Sequence, residues 1–291
     1  MPTDGATDQE MRGGAPRHTQ TTFRTDDGLR LFSQSWLPAG EARAVLALVH
    51  GIGEHSGRYG NLVNAISQSG FAIAALDHRG HGSSPGQRGH INSWKEYRED
   101  VRAFLDHVRG NVPDRPVFLY GHSLGSLIVL DYVLAYPRGL AGLIVSGTAL
   151  QPVGVARGYL VALAKVLSRL LPAFSVSLGI DASTLSRDAA VVQAYRDDPL
   201  VHSRVTMRWG TESLAAIERV RSRAAEISLP LLVVHGEADR INSVEGSREL
   251  YWAVSSTDRK LCIYPGGSHE PHNDLDHLIV SRDIEYWLSS R

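Results

Sequence analysis

The fold is decided by residues 117–130, which read VFLYGHSLGSLIVL. An apolar run with β character ends at Tyr120, the pentapeptide Gly-His-Ser-Leu-Gly follows, and a helical pattern begins after it. Strand, G-x-S-x-G and helix together predict a nucleophile elbow, a strained turn that lifts Ser123 above the sheet. The glycines at 121 and 125 leave room for strand and helix to pass closely. A tight turn with a serine N-cap has the same local pattern, so the rest of the chain has to decide.

Strand patterns recur on both sides of this elbow and alternate with helical patterns. The further predicted strands are Thr19 to Arg24, Leu29 to Leu37, Ala44 to Val49, Phe71 to Leu76, Leu140 to Ser146, Pro230 to His235 and Lys260 to Tyr264. The first two surround an Asp-Asp-Gly turn and predict a hairpin at the sheet edge. Because strands that alternate with helices form right-handed crossovers, we predict an α/β fold with a mostly parallel, eight-stranded sheet flanked by helices.

The strand rhythm is interrupted once, which divides the chain into parts. We expect a disordered tail at 1–17, the first part of the sheet domain at 18–149, a helical cap at 150–226 and the second part of the sheet domain at 227–291. The cap is expected to contain only helices, at Gly154 to Leu171, Ser186 to Tyr195 and Arg204 to Arg221. The first of these is unusually apolar. It therefore either packs on the core or forms a lid that lines an apolar pocket or touches a lipid surface.

A serine nucleophile needs a base, and the base needs an orienting acid. In a parallel sheet these groups are expected beyond the carboxyl ends of the strands. Asp239 follows the strand that ends at His235, and His269 follows the last strand. The order Ser123, Asp239, His269 is the one expected of this strand–elbow–helix architecture. Glu237 is a rival acid that lies less far along the loop. Asp77 precedes the serine, and we interpret it as a residue that ties down a loop.

An oxyanion hole requires two backbone N–H donors. The first helical residue after the nucleophile, Leu124, supplies one. The other is expected from Ile52, because the Gly-rich sequence 50–53, HGIG, directly follows a buried strand. In the predicted mechanism His269 accepts the proton of Ser123, Asp239 stabilises the imidazolium, and an acyl-enzyme forms that water releases.

Composition excludes several classes of protein. The formal net charge of −1 gives no indication of a nucleic-acid partner, and the single cysteine, Cys262, excludes an internal disulfide and a cysteine-based zinc site. No segment reaches the roughly 18 apolar residues that a membrane span needs, and residues 1–17 lack the apolar core of a secretory signal. We expect a cytoplasmic protein without metal or cofactor.

Five sequence segments resemble one known family: HGIGEHSGRY at 50–59, DHRGHGS at 77–83, GHSLG at 121–125, YRDDPL at 195–200 and the loop around His269. They are similar to the monoglyceride lipase and lysophospholipase branch of the α/β-hydrolase fold. The resemblance implies a cofactor-free serine hydrolase that cleaves monoacylglycerols or similar single-chain lipid esters. It also implies that Ile52 donates an oxyanion N–H and that Glu54, Arg58 and Tyr195 lie near the polar, glycerol end of the site.

Two alternatives stay open at this point. The cap matches the family only around 195–200, so a general carboxylesterase or a lysophospholipase of the same fold remains a candidate. A non-catalytic binding protein that retains the fold is the other, although the joint presence of the serine, acid, base and both Gly-rich loops argues against it.

Overall fold

The structure is a computed structural model that describes residues 16–154 and 166–291. Its strands are β1 Arg17–Arg24, β2 Arg30–Leu37, β3 Val45–Val49, β4 Ala72–Leu76, β5 Val117–His122, β6 Gly142–Ser146, β7 Ser175–Ser177, β8 Arg204–Thr206, β9 Leu231–Gly236 and β10 Arg259–Tyr264. Its α-helices are Gly60–Ser67, Trp94–Asn111, Leu124–Ala135, Ala189–Asp197, Met207–Arg223, Val244–Ala253 and His277–Ser289, and residues 166–170 are also helical. Short 3-10 turns are Ser56–Tyr59, Ala182–Thr184, Ala224–Glu226 and Pro271–Asn273.

Eight strands form one sheet in the order β1-β2-β4-β3-β5-β6-β9-β10. The β1–β2 hairpin and the β2–β4 pair are antiparallel, and all other neighbours are parallel. The predicted α/β fold with a mostly parallel, eight-stranded sheet is thereby confirmed. β1 begins at Arg17, the last residue of the predicted tail, while residues 1–15 lie outside the described part of the chain.

Helices cover both faces of the sheet, so the central strands are buried on both sides. In β3, Val45, Ala47 and Val49 face the core that lies under the helices Trp94–Asn111 and Leu124–Ala135. Leu46 and Leu48 face the second core, which lies under Gly60–Ser67 and His277–Ser289. This arrangement explains the continuous apolar runs that were assigned to strands. It also brings the carboxyl ends of β3, β5, β9 and β10 to one edge of the sheet.

The elbow has the predicted strained geometry. Ser123 has φ 51° and ψ −119°, a conformation that non-glycine residues rarely adopt. A side chain at Gly125 would collide with the backbone carbonyl oxygens of Val49 and His50 at the end of β3. The absence of a side chain there allows the first turn of the elbow helix to cross the end of β3 in backbone contact.

The cap differs from its prediction in one respect. β7 and β8 form a two-stranded antiparallel sheet within 150–226, where only helices were expected. β8 occupies the first three residues of the helix predicted from Arg204, and the helix itself begins at Met207, where the Thr206 side chain accepts a hydrogen bond from the Trp209 amide. The predicted helix from Gly154 is helical at 166–170, and its residues 155–165 lie outside the described part.

Backbone hydrogen bonds join the cap to the loops at the carboxyl edge of the sheet. These bonds run from His202 N–H to Gly53 O at 2.8 Å, from Thr206 N–H to Gly89 O at 3.0 Å and from Glu270 N–H to Leu185 O at 2.8 Å. The side chains of His55 and Asp198 add a contact of 2.8 Å. The cap segment 184–206 is therefore bonded to the loops that follow β3, β4 and β10.

The close backbone crossing at the elbow can be tested by adding a side chain at Gly125. We expect Gly125→Ala to lower the free energy of unfolding by at least about 2 kcal/mol, because the methyl group forces two backbones apart. Gly110→Ala is the matched control: it also lies in a helix, but a Cβ there meets no atom within 4 Å among the described residues. The control should be neutral or slightly stabilising. Urea denaturation measures both, and equal stabilities for the two variants would contradict the crossing.

Candidate active site

Three side chains from three loops meet at the carboxyl edge of the sheet. The hydroxyl of Ser123, directly after β5, lies 2.9 Å from Nε2 of His269, on the loop after β10. Nδ1 of His269 lies 2.7 Å from Oδ2 of Asp239, on the loop after β9. All three side chains are buried. The geometry is that of a serine whose proton can pass to an imidazole that a carboxylate orients.

The carboxylate of Asp239 is held from several directions. Oδ1 accepts hydrogen bonds from the amides of Ile241 at 2.8 Å and Asn242 at 3.0 Å. Oδ2 lies 3.0 Å from Nε2 of His235 in addition to its contact with His269. Burial alone would raise the pKa of Asp239, but the charge of His269 and the hydrogen bonds from both imidazoles hold it well below its usual range. Asp239 is therefore ionised across the whole range in which the base titrates.

His235 contacts Asp239, and the sequence did not indicate this contact. It directly follows the apolar residues of β9. Its Nε2 lies 3.1 Å from the carbonyl oxygen of Asn242 and also contacts the carboxylate of Asp239, and its Nδ1 lies 2.7 Å from the hydroxyl of Ser247. The four-residue spacing between His235 and Asp239 is the only sequence signal for this second imidazole.

The ionisation of His269 is set by two opposing effects. Burial disfavours the imidazolium, whereas the carboxylate of Asp239 favours it through its charge and its hydrogen bond. The carboxylate prevails and raises the pKa of His269 above its ordinary value of 6.5. Neutral His269 is the form that can accept a proton from Ser123, so the site requires a pH above this raised pKa.

Backbone amides beside Ser123 can stabilise a negative oxygen. Leu124 is the first residue of the elbow helix, and Ile52 lines the cavities that contain Ser123. Within 16–154 and 166–291, neither amide has a hydrogen-bond acceptor from the backbone or a side chain. Gly51 brings the loop close, because a side chain at this position would lie 3.2 Å from the Cβ of Ser123. Two N–H groups are thus available where an oxyanion would form.

Glu54 holds the loop that carries Ile52. Its Oε1 accepts hydrogen bonds from the amide of Gly51 at 2.6 Å and the hydroxyl of Tyr59 at 2.7 Å, and its Oε2 accepts one from Arg58 at 2.9 Å. Burial is the main cause that raises the pKa of Glu54. Since both oxygens already have partners, we interpret Glu54 mainly as a residue that positions the oxyanion loop, although it also lines the pocket.

Arg58 connects the oxyanion loop to the loop of the base. Its Nη1 and Nη2 bond the two carboxylate oxygens of Glu270 at 2.7 and 2.9 Å, and Glu270 directly follows His269. Tyr195 from the cap covers the guanidinium, with its ring centroid 4.7 Å from the Arg58 carbon. Despite burial, the charge of Arg58 lowers the pKa of Glu270. Glu270 was not singled out in the sequence, although its position next to the base was visible there.

Two spaces open at Ser123 and differ in character. A pocket of about 20 Å³ contains the polar groups of Glu54, Arg58, Tyr195 and Glu270. A mainly apolar cavity of about 350 Å³ extends between the core and the cap, and its walls include Leu124, Leu127, Trp209, Leu214, Ile217 and Ile241. The site can therefore hold a long apolar group and a small polar group on either side of the nucleophile.

The remaining candidates lie away from this chemistry. Glu237 is exposed, and its carboxylate contacts the amide of Gly266 at 3.4 Å. Asp77 accepts hydrogen bonds from the amides of Ser56 and Ser83, each at 2.8 Å, which agrees with a loop-tying role. Among the described residues, no group of three or more His, Cys, Asp or Glu side chains can hold a metal ion.

Comparison with known proteins places this architecture in a family. A family model described as serine aminopeptidase, S33, matches residues 40–276. A monoacylglycerol lipase of Mycolicibacterium smegmatis is 37% identical over 94% of this chain and 97% of its own length. The human monoglyceride lipase is 35% identical over 91% and 88%. The crystal structure of Paleococcus ferrophilus monoacylglycerol lipase superimposes with a TM-score of 0.80 at 35% identity and covers 94% of this chain and 99% of that one.

The pairing of His269 with Asp239 predicts how reactivity depends on pH. We expect the rate constant for labelling of Ser123 by a fluorophosphonate to fall about tenfold per pH unit on the acid side, because protonated His269 cannot accept the serine proton. The midpoint should lie above pH 6.5, since Asp239 raises the pKa of His269. Labelling from pH 4 to 9, about the range over which His titrates in proteins, measures this midpoint.

Two carboxylate variants test whether the charge of Asp239 raises the pKa of His269. Asp239→Asn should slow labelling by about 10³–10⁴-fold and move the midpoint to lower pH, because the charge that favours the imidazolium is removed. Glu237→Gln removes the exposed carboxylate two residues away and should change neither quantity. A wild-type midpoint at or below 6.5, or equal effects of both variants, would contradict the assignment.

Proposed function

The chain belongs to the serine aminopeptidase S33 family of α/β-hydrolases, and from that premise we propose that it cleaves monoacylglycerols to fatty acid and glycerol. The observation that carries this proposal is the pair of spaces that meet at Ser123, one of about 350 Å³ and apolar, the other of about 20 Å³ and polar. An acyl chain fits the first, and the second has room for about one hydroxyl group of the alcohol. Relatives at 35–37% identity that carry the same activity in their names support it.

The proposed mechanism uses the groups that surround the nucleophile. His269 accepts the proton of Ser123 while the serine oxygen attacks the ester carbonyl, and Asp239 stabilises the imidazolium. The carbonyl oxygen becomes an oxyanion that the Ile52 and Leu124 amides stabilise. His269 then donates its proton to the leaving glycerol oxygen, and the acyl group remains on Ser123. A water molecule that His269 deprotonates attacks the acyl-enzyme, which releases the fatty acid and restores the serine.

The charge of the small pocket favours a neutral alcohol. Among the described residues that line it, the guanidinium cation is that of Arg58, which is bonded to Glu270 through both terminal nitrogens and to Glu54 through one, so few donors remain for a phosphate. Two buried carboxylates next to one guanidinium would repel the phosphodiester of a lysophospholipid head group. They can accept hydrogen bonds from the hydroxyl groups of glycerol. This balance favours monoacylglycerol over lysophospholipid.

A panel of four substrates tests this function: a monoacylglycerol, a diacylglycerol, a lysophospholipid and a short soluble ester. We expect kcat/KM for monoacylglycerol to exceed that for lysophospholipid by at least about tenfold. The reason is that a desolvated contact between the phosphodiester and the carboxylates costs more than about 1.4 kcal/mol. Ser123→Ala should lower turnover by more than about 10⁴-fold. Release of fatty acid measures both quantities.

Ser222→Ala, an exposed serine on the cap helix, is the control and should retain full turnover. Equal turnover of the lysophospholipid would identify a lysophospholipase instead. Turnover of the short ester alone would identify a general carboxylesterase. Absence of any turnover that depends on Ser123 would favour a binding protein of the same fold.

We also propose that the cap touches the lipid surface that holds the substrate. In the part of the chain that the structure describes, none of the helices combines the length and apolar character needed to cross a bilayer. The cap nevertheless exposes large apolar side chains within one short segment: Val166, Leu170, Leu171 and Phe174 are 52, 71, 52 and 57% exposed. A cluster of exposed apolar side chains of this kind suits a reversible contact with a lipid surface.

A matched pair of leucine variants tests this contact. Leu170 on the cap and Leu278 on the terminal helix are both 71% exposed. We expect Leu170→Asp to weaken co-sedimentation with phosphatidylcholine vesicles that contain monoacylglycerol by about tenfold, since insertion of one leucine contributes about 1.5–3 kcal/mol. Leu278→Asp should bind as the wild type does. Equal vesicle binding by the two variants would refute the cap contact.

A further inference from the structure

Gly210 lies one turn into the cap helix Met207–Arg223 and lines the apolar cavity that contains Ser123. Leu214 and Ile217 line the same cavity. They stand four and seven residues after Gly210, a spacing that places all three on one helix face. A side chain at position 210 would therefore project into the cavity, as those of Leu214 and Ile217 do.

The space at Gly210 is open. A Cβ built at this residue has no heavy atom within 4 Å among the described residues, in contrast to Gly121 and Gly125, where it would meet backbone. Among the described residues, neither close packing nor a positive φ requires a glycine at 210. A glycine within a helix is less stable than alanine would be. The described part of the chain therefore gives no packing reason for a glycine here, whereas the cavity volume depends directly on its missing side chain.

We propose that Gly210 determines the longest acyl chain that the enzyme hydrolyses efficiently. The inference rests on the proposed function, because it assigns the cavity of about 350 Å³ to the acyl chain of the ester. The absence of a side chain leaves room for the methylene groups of a long chain along the face of the cap helix. A larger residue occupies this room and excludes those methylene groups from the cavity, while the catalytic groups at Ser123 and His269 keep their positions.

A graded series at this position tests the proposal. Gly210→Ala, Gly210→Leu and Gly210→Phe are compared on saturated monoacylglycerols from octanoyl to stearoyl. Each methylene that is excluded from the cavity should lower kcat/KM by about fourfold. We expect the ratio of stearoyl to octanoyl kcat/KM to fall with the size of the new side chain, by more than about tenfold for Gly210→Phe.

Gly110→Phe is the matched control, because Gly110 also lies in a helix with open space at its Cβ in the described part, but lines neither space at Ser123. Its chain-length ratio should equal that of the wild type. Fluorophosphonate titration counts the folded active sites of each variant, so that a loss of protein does not alter the ratio. Gly210→Ala adds only one methyl group and supplies a variant in which folding is preserved.

The same variants are assayed on p-nitrophenyl esters of the same acyl chains, which require Ser123 and the cavity but no glycerol. Failure of the wild type on monoacylglycerols alone would refute the proposed function, and the p-nitrophenyl series would still test Gly210. A chain-length ratio that stays constant from Gly210 to Phe on both ester series would overturn the inference. So would an equal shift in Gly110→Phe.

Discussion

Backbone contact between the elbow and β3 is the constraint on which the rest of the site depends. The first turn of the elbow helix crosses the end of β3 at Gly125, where even one methyl group has no room. The two backbones that cross here carry the amides of Leu124 and Ile52, which have no hydrogen-bond acceptor within 16–154 and 166–291. The close packing of main chain therefore limits their separation, and the side chain of Glu54 holds the loop of Ile52 in place. Ser123 has an unusual conformation because it stands at this crossing.

Burial gives the polar groups around this crossing their properties. Asp239, His269, Arg58, Glu54 and Glu270 are all within the protein, where unpaired charges would be costly. Each has partners: two imidazoles and two amides around Asp239, and two carboxylates around Arg58. The Arg58–Glu270 pair also links the oxyanion loop to the loop of the base. The same interactions thus keep the carboxylates of Asp239 and Glu270 ionised and hold the two loops in alignment.

The sequence predicted the sheet well, because buried parallel strands have continuous apolar runs and glycine-rich loops mark their carboxyl ends. Ser123, Asp239 and His269 could be selected for the same reason, as each follows such a run. Contacts that depend on the path of a loop could not be obtained in this way. The imidazole of His235 against Asp239 and the bidentate contact of Glu270 with Arg58 join residues whose spacing carries little information. The helix Val244–Ala253 was also not predicted, although the Ser243 side chain caps it.

The cap was predicted least accurately, because its two short strands are separated by residues 178–203 and have no apolar run of their own. Position 210 illustrates the same limit. From the sequence, a glycine within a helical pattern indicates only a slightly less stable helix. The open space beside it is visible only in the folded structure.

The backbone bonds between the cap and the catalytic loops have an evolutionary consequence. Because Leu185 and His202 bond directly to the loops of the base and the oxyanion donor, the segment 184–206 helps to build the site that it covers. The cap is therefore not an independent module that recombination can exchange freely between hydrolases. A foreign cap would have to reproduce these main-chain bonds before it could confer a new substrate range. Single substitutions along the cavity wall leave these main-chain bonds intact. We therefore expect substrate range to diverge within this lineage mainly through such substitutions.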